Sequence, residues 1–391
     1  MPSKIVIVGA GFVGLPAARR LKKSLGDSAN ITLIDEKDHF LFTPRLIDAL
    51  AGDVKEPLIK TDLKLIADAN DFTFLRAHVD AIDRKARRVL LQKSSRGTPT
   101  SIPYDILVLS EGARVCYFGI PGSEQHTFCL KRLNDVYGIH QRVHTLVKEA
   151  LAASTNSQKT ALLSFAVIGG GASGVESLIA LKKYVGRHCD AHAPTLRRFL
   201  SFSLMEAGPQ ILNGFPTPIV HGTMDVLRRM GISVSIGEAV SCVEATCVTI
   251  GKRPPKPTAL TIWAAGIIPN LIPIQPEVHR DAKGNLVTDR FLRIEPRIFA
   301  AGDATTHTEK NVTVPKNGQT ALLMSRSIID NILRTIRKQT LTPFTYRSLG
   351  SILWLGRTGF IHTSPFSIKT RIAVLLRDAF YRYRNWQITK H

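Results

Sequence analysis

The sequence predicts an α/β chain made of two Rossmann-like units and closed by a basic amphipathic segment. Three observations carry this. Gly9-Ala10-Gly11-Phe12-Val13-Gly14 follows the apolar run Ile5–Val8, and Gly169-Gly170-Gly171-Ala172-Ser173-Gly174 follows the apolar run Phe165–Ile168. Both read as strand, glycine turn and helix, in which glycines let the backbone approach a diphosphate at a helix N-terminus. In each unit the next strand closes on an acid, Asp35 (with Glu36 beside it) or Glu206, placed to accept hydrogen bonds from a ribose. One such turn is a weak signal. Two in one chain imply two dinucleotides and electron passage between them.

The first unit reads as a strand over 4–8, a helix over 12–25 and a strand over 31–35. Further strands are expected around 72–75, 79–82 and 89–91, then a buried strand at 104–110 ending at Glu111-Gly112. Residues 131–158 read as a polar helical connection with a hinge at Ser154-Thr155-Asn156-Ser157. The second unit repeats the pattern with a strand at 164–168, a helix at 173–185 and a strand at 201–206. Glu206 favours NADH over NADPH, since a carboxylate there repels a 2′-phosphate. Strand Leu260–Trp263 runs into Ala264-Ala265-Gly266. Arg297–Ala301 delivers Gly302-Asp303 to a strand end, where ligands of such sheets bind. A helix is expected over 315–337.

Composition sets bounds. At 391 residues, with 44% hydrophobic and 21% charged residues, the chain holds two or three domains with real cores. No apolar run reaches bilayer-spanning length. The start runs directly into a strand, so no leader is expected. Cys116, Cys129, Cys189, Cys242 and Cys247 show no CxxC and no metal-ligand spacing; reduced structural thiols and no metal site are expected. The formal charge of +21 implies attraction to a polyanion, unless a basic surface is general in the source organism.

Taken together these residues resemble the two-dinucleotide flavoprotein disulfide reductase superfamily (glutathione-reductase-like), and within it the type II NADH:quinone oxidoreductases. Leu41-Phe42-Thr43-Pro44, Tyr117–Gly122, Gly174-Val175-Glu176, Glu206-Ala207-Gly208-Pro209, Trp263–Gly266 and Ala300–Ala304 carry the likeness. The resemblance implies an FAD domain of residues 1–115 and 271–340, with an NADH domain of 116–270 inserted in it and a C-terminal membrane-association or dimerisation segment at 341–391. It implies that Gly9, Gly11, Phe12, Gly14, Asp35, Glu36, Thr43, Val79, Gly112 and Asp303 contact bound FAD. Gly169, Gly171, Gly174, Glu206 and Gly266 would contact the substrate NADH. Glu176 matches an acid near the nicotinamide, and would also stabilise its helix dipole. Gln319 matches the first glutamine of the family's quinone-site helix and would touch cofactor and acceptor.

Two positions depart from the family pattern. Its usual Ala-Thr-Gly turn is here Ser110-Glu111-Gly112, and the second glutamine of the quinone helix is replaced by Leu323. Glu111 either faces inward, where a carboxylate lowers flavin potential, or points to solvent. Hydride transfer from nicotinamide to flavin needs positioning more than acid–base groups, so a missing triad is no objection. A redox-cysteine mechanism lacks a partner for Cys129, which reads as structural.

From Arg334 onward eleven basic residues face a single acid, Asp378. Ile368, Ile372, Leu375, Leu376, Ala379, Tyr383 and Trp386 recur at helical spacing, with Arg371, Arg377, Arg382 and Arg384 largely off that stripe. A basic amphipathic helix of this kind lies in an anionic membrane interface; packing on its own domain or on a second copy in a homodimer is the competing reading. The expectation is a peripheral enzyme on the cytoplasmic face of the inner membrane, passing electrons from NADH through FAD to a lipid-borne quinone. A soluble reductase of a ferredoxin- or rubredoxin-type protein is the alternative. A nucleic-acid-binding flavoprotein resembling apoptosis-inducing factor ranks behind both: basic residues do not interleave with stacking aromatics, and no nucleic-acid partner is expected.

Overall fold

The computed structural model describes residues 1–92, 100–309 and 312–389. Its first sheet has six strands, in the order Arg293–Glu295, Ile298–Ala300, Ile106–Leu109, Ser3–Val8, Ala29–Asp35 and Thr73–Arg76. All neighbours run parallel except the edge strand Arg293–Glu295. The register places Ile7 between Leu33 and Val108. Every residue of Ile106–Leu109 is buried. That is the pattern of a strand covered on both faces by helices and side sheets, and it explains the unbroken apolar run.

The second sheet has four parallel strands, ordered Ile232–Ser235, Ser201–Met205, Ser164–Ile168 and Leu260–Trp263. Helix Gly14–Leu25 packs beside the first sheet through Leu15, Ala17, Ala18 and Leu21. Helix Ala172–His192 does the same for the second through Val175, Leu178, Ile179 and Leu181. The short strands expected near 79–82 and 89–91 are present, but they leave the first sheet. Val79–Asp83, Arg88–Leu91 and Ser101–Pro103 form their own antiparallel layer, joined by Ile274–Gln275.

Two segments run between the sheets side by side: Ala113–Val115 pairs antiparallel with Ile267–Pro269, Val115 opposite Ile267.

Three sequence expectations are corrected. The connection over 131–158 is no polar hinge. Helix Leu133–Ala152 buries Val136, Ile139, Val143, Leu146 and Ala150 against the second core, a 3.6-residue stripe hidden among His140, Arg142, His144 and Lys148. At the expected hinge, Thr155 and Gln158 form a reciprocal capping box that starts helix Asn156–Leu162, so serine and threonine here mark a helix start. The helix expected from Pro315 begins at Gly318, because the Asn317 side chain accepts from the Thr320 backbone N–H at 2.9 Å and so caps it.

The C-terminal stripe is also divided. Ser351–Leu355, Thr358–Thr363 and Phe366–Thr370 form a three-stranded meander, and the helix spans only Ile372–Thr389. Ile368 therefore lies on a strand. Ala373, Arg377 and Ile388 form the buried side of that helix, while Ile372, Leu375, Leu376, Phe380, Tyr383 and Trp386 are exposed, as are Phe366 and Ile368. Arg377 is thus removed from the solvated basic face. Among the described residues no helix is long and apolar enough to cross a membrane.

Candidate active site

The two glycine turns are built alike. Gly9 has φ +94° and Gly169 has φ +109°, a region open to glycine at no steric cost. A Cβ on Gly9 would collide with the Ser110 carbonyl, and one on Gly169 with Ala264. The third glycine of each turn admits no side chain either: a Cβ on Gly14 or Gly174 would strike the carbonyl of Gly9 or Gly169. Close packing of helix on strand therefore demands glycine at these positions. The middle glycines differ. Gly11 and Gly171 look onto open space, with nothing within 4 Å of a built Cβ.

The acids at the strand ends hold these turns. Asp35 Oδ2 accepts from the Ala10 backbone N–H at 2.7 Å, and its Oδ1 accepts from Lys37 N–H at 2.9 Å. Glu206 Oε2 accepts from Gly170 N–H at 2.6 Å, and its Oε1 from Gly208 N–H at 2.6 Å. Charge-assisted bonds of this kind fix a turn firmly. Glu36 is exposed and stands 3.5 Å from His78.

Around the first turn the structure gathers most of the predicted residues. The Phe12 ring sits 5.5 Å from the rings of both Phe40 and Phe42, and faces the position of a Cβ on Gly318. Gln319 follows Gly318 in the first turn of helix Gly318–Ile336. Gly302 abuts Val13, and the Asp303 carbonyl accepts from Lys316 Nζ at 2.7 Å. Gly302, Asp303, Lys316, Asn317 and Thr320 line one small crevice. Thr43 is exposed at the start of the short helix Thr43–Arg45. Val79 is buried in the antiparallel side layer opposite Leu91 and shares a core with Val8 and Ile34, the strand residues beside the first turn. Leu323 is partly buried against the first core and lines an outer groove with Ser327, Asp330 and Arg334.

Around the second turn, a Cβ on Gly266 would press on the Phe118 ring. Trp263 Nε1 donates to the Cys116 carbonyl at 2.8 Å.

Glu176 joins three parts of the chain. It is buried in the second turn of helix Ala172–His192, past the helix start where a dipole-stabilising acid is expected, and its Oε1 accepts from the Trp354 backbone N–H of the meander at 2.7 Å. Burial pushes its carboxyl above the ordinary range, against the attraction of Arg377. Arg377 Nη1 donates to Asp48 Oδ1 at 2.7 Å, and Arg45 Nη1 donates to Asp48 Oδ2 at 3.2 Å and to Asp378 Oδ1 at 2.6 Å. Arg377 also stands 4.7 Å from the Tyr381 ring centre and 5.5 Å from that of Trp354. Burial works to lower the Arg377 pKa, but Tyr381, Glu176 and Asp48 outweigh it, so the guanidinium is held charged.

Sequence reasoning missed two contributors. Ser110 Oγ donates to the carbonyls of Val8 (2.8 Å) and Gly9 (3.0 Å), locking the first turn from the neighbouring strand. The ion network Arg45–Asp48–Arg377 was also missed; its only signal was three charges inside apolar helical stretches. The Cys129 thiol donates to Asp135 Oδ2 at 3.4 Å, and burial followed by Asp135 pushes it up to about 11. It is a protonated thiol, not a poised nucleophile.

Residues 3–324 match the family model described as pyridine nucleotide-disulphide oxidoreductase. The chain is 26% identical over 389 residues to a probable NADH dehydrogenase of Dictyostelium discoideum, covering 97% of this chain and 85% of that protein. It is 27% identical to the external mitochondrial NADH-ubiquinone oxidoreductase 2 of Saccharomyces cerevisiae, covering 90% and 71%. With a demethylphylloquinone reductase of Synechocystis the identity is 28%, covering 98% and 93%. In fold it is similar to NDH2 of Plasmodium falciparum solved with NADH, at TM-score 0.88 and 17% identity over 100% of this chain and 98% of that one. The chain belongs to the pyridine nucleotide-disulphide oxidoreductase family.

Proposed function

We propose that this chain is an FAD-dependent oxidoreductase that takes a hydride from NADH and passes two electrons to a membrane quinone. The observation that carries the reading is the pair of glycine turns. Each is braced by an acid from the next strand and presents an open glycine, Gly11 or Gly171, where a side chain would have free space. That open face fits a dinucleotide diphosphate, since backbone N–H groups and a helix N-terminus converge there.

In this reading residues 1–115 and 271–340 hold FAD and residues 116–270 hold NADH, with 341–391 as the membrane segment. Gly9, Gly11, Gly14, Asp35, Gly112 and Asp303 are the FAD residues; Gly169, Gly171, Gly174, Glu206 and Gly266 serve NADH. When bound, FAD supplies the two-electron relay between nicotinamide and acceptor. The protein's part is positioning. Asp35 and Glu206 hold their turns in shape, the Phe12 ring packs the floor beside Gly318, and Gln319 stands at the opening of that helix. Glu176 fixes the second glycine helix to the meander through Trp354. Arg377 keeps charge balance beside Asp48 and Glu176. Relatives named as NADH-ubiquinone oxidoreductase and demethylphylloquinone reductase support a quinone as the acceptor.

The exposed apolar face Ile372, Leu375, Leu376, Phe380, Tyr383 and Trp386, extended by Phe366 and Ile368, supports docking on an anionic membrane, such as the cytoplasmic face of the inner membrane. Its aromatic and aliphatic side chains alternate with Arg371, Arg382 and Arg384, which suits the headgroup layer.

The deciding experiment is anaerobic titration of the purified yellow protein with NADH, then addition of a ubiquinone or menaquinone analogue. Bleaching of flavin absorbance and its quinone-dependent return is the expected result. Bleaching that only a small redox protein reverses would replace the quinone with a protein acceptor.

A further inference from the structure

Lys316 brings a positive charge to the open side of the first glycine site. Glu111 does not reach that side, since both of its carboxylate oxygens are sealed from solvent. Lys316 and Asn317 are exposed, and Gly302 and Asp303 are partly so; together with Thr320 they line one crevice. The crevice adjoins the glycine turn. A Cβ on Gly302 would stand 3.2 Å from the Val13 side chain, and one on Gly318 would stand 3.6 Å from the Phe12 ring.

The Lys316 ammonium is held at two points. Its Nζ donates to the Asn285 side-chain oxygen at 2.5 Å and to the Asp303 carbonyl at 2.7 Å. Asn285 is buried and itself fixed, donating from Nδ2 to Asp281 Oδ2 at 2.8 Å and from its backbone N–H to Asp281 Oδ1 at 2.9 Å. Asp281 Oδ2 also accepts from Thr306 Oγ1 at 2.6 Å. This chain of bonds ties the Gly302-Asp303 turn to the segment just ahead of helix Gly318–Ile336. An ammonium has three N–H donors, so one remains after these two bonds. Burial lowers the Lys316 pKa, Asp303 and Asp281 oppose that, and Lys283 adds to it. The lysine also stands two residues before the start of that helix, at the positive pole where a cation is unfavourable. Fold stability alone gives no reason for a lysine there, whereas a ligand that gains negative charge does.

We propose that Lys316 is a positioning residue of the FAD site and supplies its positive charge: it clamps the Gly302-Asp303 turn and raises the reduction potential of the bound flavin. The proposal rests on the assignment of FAD to the first glycine turn. When NADH gives up a hydride and becomes NAD+, the flavin gains two electrons and one proton, and so becomes one charge more negative. A cation fixed at the site favours that form. Methionine at position 316 removes both the charge and the clamp, while arginine keeps a charge and donors. Alanine at position 285 loosens the clamp and leaves the charge.

The test reads two properties of the holoprotein: the flavin reduction potential, by anaerobic equilibration with a reference dye, and FAD release, by the fluorescence of freed flavin on dilution. In Lys316→Met the reduced-to-oxidised ratio at a fixed solution potential is expected to fall about tenfold, which is about 30 mV for a two-electron couple. Its apparent Kd for FAD is expected to rise about tenfold, the loss of one charged hydrogen bond. Lys316→Arg is expected to keep the ratio within about threefold of the native one. Asn285→Ala is expected to weaken FAD retention with the potential unchanged. Lys316→Gln is read in the same way as Lys316→Met should the methionine protein fail to fold. A neutral variant with the native potential, or an arginine variant shifted as far as the methionine one, would overturn the proposal while leaving the FAD assignment intact. So would an Asn285→Ala protein whose potential shifts as far as that of Lys316→Met. A native protein that holds no FAD would overturn the assignment and the proposal with it.

Discussion

The carboxylate of Glu176 reaches across from the second glycine helix to accept the backbone N–H of Trp354, 2.7 Å away, in the first strand of the C-terminal meander. A residue that sequence spacing marks as a helix-start acid is therefore also a bolt between the second sheet unit and the tail. Glu176→Ala is expected to strand the buried Trp354 N–H and lower stability by about 1–3 kcal/mol. Urea unfolding monitored by tryptophan fluorescence measures this; an unchanged midpoint would show that the bolt carries no load.

Arg377 sits between Asp48 and Glu176 with almost no exposure. Removing one partner of a buried ion pair costs about 3–5 kcal/mol, more than the pair itself contributes. Arg377→Met should therefore destabilise the protein severely. The double variant with Asp48→Asn should recover part of the loss, a coupling read from a double-mutant cycle in urea.

The glycine turns separate folding from binding. Gly169→Ala drives a methyl into Ala264 at φ +109° and should prevent stable folding. Gly171→Ala meets nothing within 4 Å, so its melting temperature should stay within about 2 °C, a change under 1 kcal/mol. Its KM for NADH should rise at least about tenfold, a loss of about 1.4 kcal/mol, with bound flavin unchanged. Equal effects of the two substitutions would contradict the geometry.

The pH dependence of stability has a defined sign at Glu111. Its carboxyl rises from 4.5 to about 7 on folding, so folding favours the protonated form. That contribution is complete below pH 4.5 and is lost as pH climbs through about 7. It amounts to about 3 kcal/mol by the cost of each pKa unit. Glu111→Gln should melt close to the native protein near pH 5 and above it at pH 8. Thermal scans of protein saturated with FAD decide the matter, and a constant difference across pH would refute the assignment.

Charge placed on the exposed apolar face should weaken membrane docking with little effect on folding. Leu375→Glu and Phe380→Glu alter residues that are largely exposed, so their melting temperatures should match the native one. Sedimentation with vesicles rich in anionic lipid should fall several-fold for each. If the variants instead change the oligomeric state and leave sedimentation alone, the face belongs to a second copy of the chain.

Much of this molecule was legible because its two sheets need unbroken apolar strands and its turns need glycine. The strands at Ile5–Val8 and Phe165–Ile168 and the acids Asp35 and Glu206 could be placed from spacing alone. What spacing missed depends on contacts between distant segments. Nothing in the sequence of Leu133–Ala152 separates its buried stripe from a solvated helix until the second core is assembled against it. Arg377 reads as one more tail charge until Asp48, 329 residues away, is brought to it. The backbone at Glu111 is likewise held by Asn270, which the paired linkers bring alongside.

Those linkers have a last consequence. Val115 and Ile267 face each other across an antiparallel pair, so the chain leaves for the second sheet and comes back through a single doorway about 5 Å wide. Everything between those residues is joined to the rest of the chain covalently at that one place, and packs back on it through Ile47, Leu50 and Trp354. A stretch attached in that way can be exchanged for any other whose ends also meet, without rethreading the six-stranded sheet. Two similar turns within one chain are what copying a unit and slipping the copy through such an opening would leave behind.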